Sequence, residues 1–207
     1  MISVKKVKNQ QGFNLMELLV IVSIIAMVNM VIFAGYPKFN RRIALKKTTA
    51  EIALAVRQAQ SNSLAVKKFD KSVSNPFPDY GIHFEKDKNN FTIFADTNNS
   101  RTYGGASADC SDTECVEFFS INNSTQVGTV ELCQKSSSCA SYQKVDIVYP
   151  RGRTAVIAYV RGVDDSGGVY ECSSCSYARI RVDSLGNLVP PKYLYVWFNG
   201  QISIKDN

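Results

Sequence analysis

Residues 13–34 form a run of 22 positions in which Glu17 is the one charged side chain. As an α-helix such a run spans ~33 Å, enough to cross a hydrocarbon core of ~30 Å. No second run of this kind follows, and residues 68–207 read as a polar, soluble domain, which excludes a multi-span membrane protein. With 45% hydrophobic and 20% charged residues, the chain also falls outside the disordered and low-complexity classes. Ahead of the run, residues 1–12 carry Lys5, Lys6 and Lys8 and no acid, so this basic end is expected to stay cytoplasmic and the rest to lie outside. Half of the net charge of +6 sits in those twelve residues, which makes it a weak argument for a nucleic-acid partner.

Glu17 needs a reason. An acid at the centre of a membrane helix costs on the order of 2.5–3.5 kcal/mol, less near an end, and such residues usually have a partner. Cutting the chain between Gly12 and Phe13 would create an α-ammonium at Phe13, one helical turn from Glu17. That charge could compensate the carboxylate within one chain or between staggered neighbours. A secretory signal peptide, cut near Ile32-Phe33-Ala34, would have an apolar region of only ~7–15 residues. An uncleaved single-span anchor, as in a membrane-tethered sensor, leaves Gly12 and Glu17 without a role.

The order Gly12-Phe13-Asn14-Leu15-Met16-Glu17-Leu18-Leu19 behind a basic leader resembles the class III signal of type IV prepilins and type II secretion pseudopilins. The resemblance implies cleavage after Gly12 by prepilin peptidase, N-methylation of Phe13 and use of Glu17 in assembly. It implies a structural subunit, a minor pilin or pseudopilin, of a type IV pilus, competence pilus or type II secretion filament. The implied partners are other pilin or pseudopilin subunits, the peptidase, the assembly platform and, before assembly, membrane lipid. The implied location is the inner membrane, single-pass with the C-terminal domain outside, and then an extracellular or periplasmic filament.

Pro37 is expected to kink the helix or to mark where the apolar stem gives way to an amphipathic part. Beyond it Leu45, Thr49, Ile52, Val56, Ala59, Ser63 and Val66 recur at steps of four and three, one small and mostly apolar helix face. Arg41, Arg42, Lys46 and Lys47 read as a solvated face or one that meets lipid headgroups. The expected helix covers residues 14–66, roughly 80 Å long. The chain thus divides into a leader (1–12), an apolar helix (13–36), its amphipathic continuation (37–68) and a β-rich domain (69–207).

Within that domain, β-branched and aromatic runs at 81–85, 91–95, 116–121, 127–132, 145–149, 155–160, 178–182, 193–198 and 202–204 alternate with turn signals such as Asn199-Gly200. The fold class is α+β, with a long N-terminal helix packed on one C-terminal antiparallel sheet; the resemblance implies the pilin fold. A second segment, Tyr80-Gly81-Ile82-His83-Phe84 followed by Phe91-Thr92-Ile93-Phe94-Ala95-Asp96-Thr97-Asn98-Asn99-Ser100, is similar to a pattern of minor pilins and H-type pseudopilins. Ser100 and Arg101 stand where that pattern has Asn and Gly.

Six cysteines, Cys110, Cys115, Cys133, Cys139, Cys172 and Cys175, fall into three close pairs, the pattern of a disulfide-stapled exported domain. Six allow 15 connectivities, with sequential pairing preferred; a redox Cys172-Ser-Ser-Cys175 and a zinc site are the competing readings. His83 is the single histidine, and no serine elbow, P-loop or dinucleotide fingerprint occurs, so neither an enzyme nor a cofactor is expected. Asp96, Asn98 and Ser100 at alternate positions could open a calcium loop, or form an Asx-rich turn without metal. Arg151, Arg153, Arg161, Arg179 and Arg181 could contact DNA, the basis of an alternative in which a pilin stem carries a DNA-binding or adhesive module.

Overall fold

The apolar run and the amphipathic stripe behind it belong to one helix, α1 (Leu15–Leu64), in the computed structural model. The structure describes residues 14–71, 75–105, 110–121, 124–135, 138–152, 159–164, 166–172, 175–186 and 188–206. Two compact units divide between Asn40 and Arg41. The first is the apolar part of α1, with Pro37 inside the helix. The second holds the rest of α1 and every described strand.

In the second unit the helix buries Leu45, Thr48, Thr49, Ile52, Ala55, Val56, Ala59, Asn62 and Ser63. These steps of three and four give a broad inward face. Val66, expected on the stripe, is exposed and left-handed, with φ of 48°. The reason lies in how α1 stops. Lys67 N–H donates to the Asn62 carbonyl at 3.0 Å and Val66 N–H to that of Ser63 at 3.1 Å. This is the Schellman arrangement, which demands a left-handed residue at the position Val66 occupies.

Eleven strands are described, all paired antiparallel in two sheets where one was expected. The six-stranded sheet runs β3 (Cys115–Ser120), β2 (Asn90–Asp96), β1 (Asp79–Glu85), β6 (Lys144–Tyr149), β7 (Tyr159–Val163), β8 (Val169–Glu171). The five-stranded sheet runs β11 (Ile202–Asp206), β10 (Lys192–Trp197), β9 (Cys175–Ser184), β4 (Thr125–Gln134), β5 (Cys139–Tyr142). Both sheets share one core with the helix: Ile52 and Val56 cluster with Ile82, Phe84 and Ile147 of the first and with Val130, Ile180 and Leu194 of the second. A helix face wide enough to meet two sheets explains why one does not suffice. Part of the strand expected at 155–160 lies outside the described residues, whereas β5 and β8 have no counterpart in the sequence reading. Both are short edge strands, and six of their seven residues are exposed, so no alternation announces them.

Ser63 ties the helix end to the six-stranded sheet. Its buried hydroxyl donates to the Tyr149 carbonyl at 2.6 Å and accepts the Tyr80 N–H at 2.8 Å. On the sheet's other face Phe94 lies over Gly81, where a Cβ would stand 2.7 Å from the ring.

Candidate functional site

Among the described residues one helix, α1, is long and apolar enough to cross a membrane. From Leu15 to Phe33 its large apolar side chains are all exposed, from 42% at Ile21 to 78% at Met30. Glu17 stands in the first turn, its N–H donating to the Asn14 carbonyl at 3.0 Å. The helix dipole favours a carboxylate there by ~0.3–1 kcal/mol. The helix start is therefore the least costly place in the run for an acid. Gly12 and Phe13, the expected cleavage and methylation positions, lie outside the described residues.

The cysteines form three local disulfides, Cys110–Cys115, Cys133–Cys139 and Cys172–Cys175. The second closes the β4–β5 hairpin and the third joins the end of β8 to β9. Glu131 lies near the Cys133–Cys139 sulfurs, but its carboxylate is ion-paired with Arg179 and the sulfurs are bonded to each other. No thiolate is left there to hold a metal.

Asp96, Asn98 and Ser100 do come together, in the turn after β2. Asp96, only 1% exposed, accepts Ser100 N–H on Oδ1 at 2.9 Å and Arg101 N–H on Oδ2 at 3.0 Å. Asn98 Oδ1 accepts Ser100 N–H at 2.7 Å, and Ser100 Oγ donates to the Thr102 carbonyl at 2.9 Å. Burial pushes the Asp96 carboxyl up, against the pull of the two amides. These oxygens already serve the turn that Asn99 and Arg101, both left-handed, require.

The arginines are not brought into one patch. Arg161, on β7, donates to the Ser100 carbonyl at 2.8 Å and pairs with Glu171 at 3.7 Å. Arg101 reaches the same Glu171 at 2.7 Å while stacking 3.7 Å above the Tyr159 ring. These links dock the Asp96 turn on β7 and β8. Arg151 is held by Asn75 and the Phe77 carbonyl. Arg179 and Arg181 share one face of β9 in the other sheet and pair with Glu131 and Asp183. Arg153 lies outside the described residues.

Sequence reasoning missed the most polar feature of the interior. His83, on β1, is 7% exposed, and its cross-strand neighbours are Thr92 and Asp146. Nδ1 is 2.6 Å from Asp146 Oδ1 and Nε2 is 3.4 Å from Glu85 Oε1, while Lys144 Nζ meets Glu85 at 2.7 Å. The Tyr103 ring packs 5.2 Å from the imidazole. Burial opposes the imidazolium, but the two carboxylates outweigh it and push the pKa up to about 9. Both ring nitrogens are occupied, so the group is built to hold a charge rather than to shuttle a proton. Only the register of β1 with β6 makes the pair, and that register is not written in either strand alone.

No family model, curated protein or solved structure matches the chain. The functional reading therefore rests on the residues themselves. They provide an exposed apolar helix with an acid in its first turn, joined to a disulfide-stapled α+β domain.

Proposed function

We propose that this chain is a structural subunit of the prepilin type, trimmed after Gly12 and drawn from the membrane into a helical filament. One observation carries the reading. The apolar surface of residues 15–33 is uncovered, and its single charge, Glu17, stands in the first helical turn, four positions in sequence after Phe13, whose ammonium cleavage would create. In a bilayer that surface meets lipid; in a filament it meets the stems of other subunits, and Glu17 meets a neighbour's ammonium. A staggered stem gives a heterologous contact that need not close, as a filament requires. Disulfides in the domain support an oxidising compartment on its side of the membrane.

Glu17→Ala tests this in the producing cell. The variant should accumulate in the membrane fraction at wild-type level and be missing from sheared filaments. Incorporation at wild-type level would remove Glu17 from assembly and the reading with it.

A second reading, in which the stem carries an adhesive module, draws on the outer face of the five-stranded sheet. There Tyr177 packs 5.6 Å from Tyr195 and 4.7 Å from Trp197, with Lys205 over Tyr195 at 5.2 Å. Aromatic and cationic groups of this kind anchor interfaces. Trp197→Ala with filaments intact and surface attachment lost would favour it.

A further inference from the structure

Beyond the apolar run, the basic residues Arg41, Arg42, Lys46 and Lys47 of α1 have two different fates. Arg41 donates to the Ser124 carbonyl at 3.0 Å, and Lys47 pairs with Glu51 at 3.6 Å. Arg42 and Lys46 enter no ion pair among the described residues. Instead they line a cleft of about 260 Å³ with Leu45, Val189, Pro190, Pro191, Lys192 and Asp206.

The lining is chemically divided. Lys192 and Asp206 stand opposite each other on β10 and β11 and pair with one another, and Asp206 also feels Lys46, so the single carboxylate of the cleft faces three cations, Arg42, Lys46 and Lys192, and an excess of positive charge remains. Two cations at i and i+4 repel each other, and an anion between them reverses the sign. The remaining wall is apolar. Leu45 and Val189, packed in the core at 2% and 6% exposure, close its floor, and the exposed Pro190 and half-buried Pro191 form its accessible side with a fixed backbone. A bare anion would leave that wall without a partner; an anion with an apolar body would use both halves.

Chain position selects among such amphiphiles. Arg42 follows Phe33, the last large side chain of the exposed apolar stretch, by only nine residues of chain, and long basic side chains so close in sequence to a membrane span reach for headgroups. The charge distribution makes the same point. The thirteen residues after the apolar run carry Lys38, Arg41, Arg42, Lys46 and Lys47 and no acid, a basic cluster that attracts anionic headgroups at the membrane surface.

We propose that this cleft binds the headgroup of an anionic phospholipid. Arg42 and Lys46 hold the phosphate, and Pro190 and Pro191 receive the glycerol and first methylenes. Arg42 can take two phosphate oxygens through its planar fork, and Lys46 adds a point charge. The site rests on α1 crossing a membrane and is independent of leader removal and of filament assembly, so its failure leaves those proposals standing.

The test is native mass spectrometry of the full chain released from detergent containing equal phosphatidylglycerol and phosphatidylcholine. The wild type should retain phosphatidylglycerol in preference by about tenfold, the ratio that ~1.4 kcal/mol gives. Arg42→Gln with Lys46→Gln should abolish the preference, while Lys47→Gln, outside the cleft, should keep it. Both altered side chains are exposed, so the double variant should melt with the wild type. Equal retention of the two lipids by the wild type, or an undiminished preference in the double variant, would overturn the proposal. So would loss of the preference on adding millimolar inorganic phosphate, which would mark a site for the free ion.

Discussion

His83 and Asp146 face each other across β1 and β6 with Nδ1 and Oδ1 2.6 Å apart. The pair, with Glu85 on the second ring nitrogen, keeps a charged imidazole inside the domain, and this makes stability depend on pH. The folded pKa of about 9 lies above the ordinary 6.5. The contribution of His83, roughly 3 kcal/mol, is therefore complete below pH 6.5 and disappears as pH rises through 9. Glu85 acts in the opposite sense. Its pKa is pushed down to about 2, chiefly by the hydrogen bond from His83, so its contribution is complete above pH 4.5 and is lost as pH falls through 2. Denaturant melts should show a plateau between pH 4.5 and 6.5 and a decline toward pH 9. His83→Gln should flatten the alkaline decline, and a decline of wild-type size in that variant would remove His83 as its source.

Ser63→Ala should destabilise the domain by about 1–3 kcal/mol. The hydroxyl is the partner of both the Tyr149 carbonyl and the Tyr80 N–H, all buried, and alanine would leave these backbone groups unsatisfied. A fall in melting temperature of a few degrees is expected for a chain of this size. No fall would mean that the helix end is not held through this side chain.

Val66→Gly should stabilise. A β-branched residue at φ of 48° is strained, and the Schellman stop of α1 fixes it there. Glycine adopts this conformation freely, and the exposed valine loses little packing. The expected gain is about 1 kcal/mol, read as a rise of ~2–4 °C. A lower melting temperature would show that the packing of Val66 outweighs its backbone strain.

The turn after β2 should be indifferent to calcium. Each Asp96 oxygen already accepts a backbone amide, and a cation would have to displace both. Melting temperatures in calcium and in chelator should agree, whereas Asp96→Ala should cost about 1–3 kcal/mol by orphaning the Arg101 amide and leaving that of Ser100 to Asn98 alone. A calcium-dependent rise would restore Asp96, Asn98 and Ser100 as ligands.

Which features the sequence discloses follows from how local their causes are. Helix α1 is legible because its apolar run and its three-and-four stripe are periodic over many residues, and its end misses the expected one by two positions. Most strands are legible for the same reason, with period two. The local disulfides are legible because their partners are close in the chain. What stays hidden depends on partners far away. The division into two sheets, the His83–Asp146 pair and the separation of Arg161 from Arg179 and Arg181 are all set by which strands neighbour which. Val66 is a different failure. Its spacing fits the stripe, but the hydrogen bonds that stop the helix claim it first.

The proposed role depends on Glu17 acquiring a cation from a cut at Gly12. The mass of the N-terminal peptide of the exported chain tests this most directly. The expected species begins at Phe13 and carries one added methyl on its α-nitrogen. A peptide that retains Lys5, Lys6 and Lys8, or that starts anywhere beyond Phe13, would leave Glu17 without its partner and contradict the proposal.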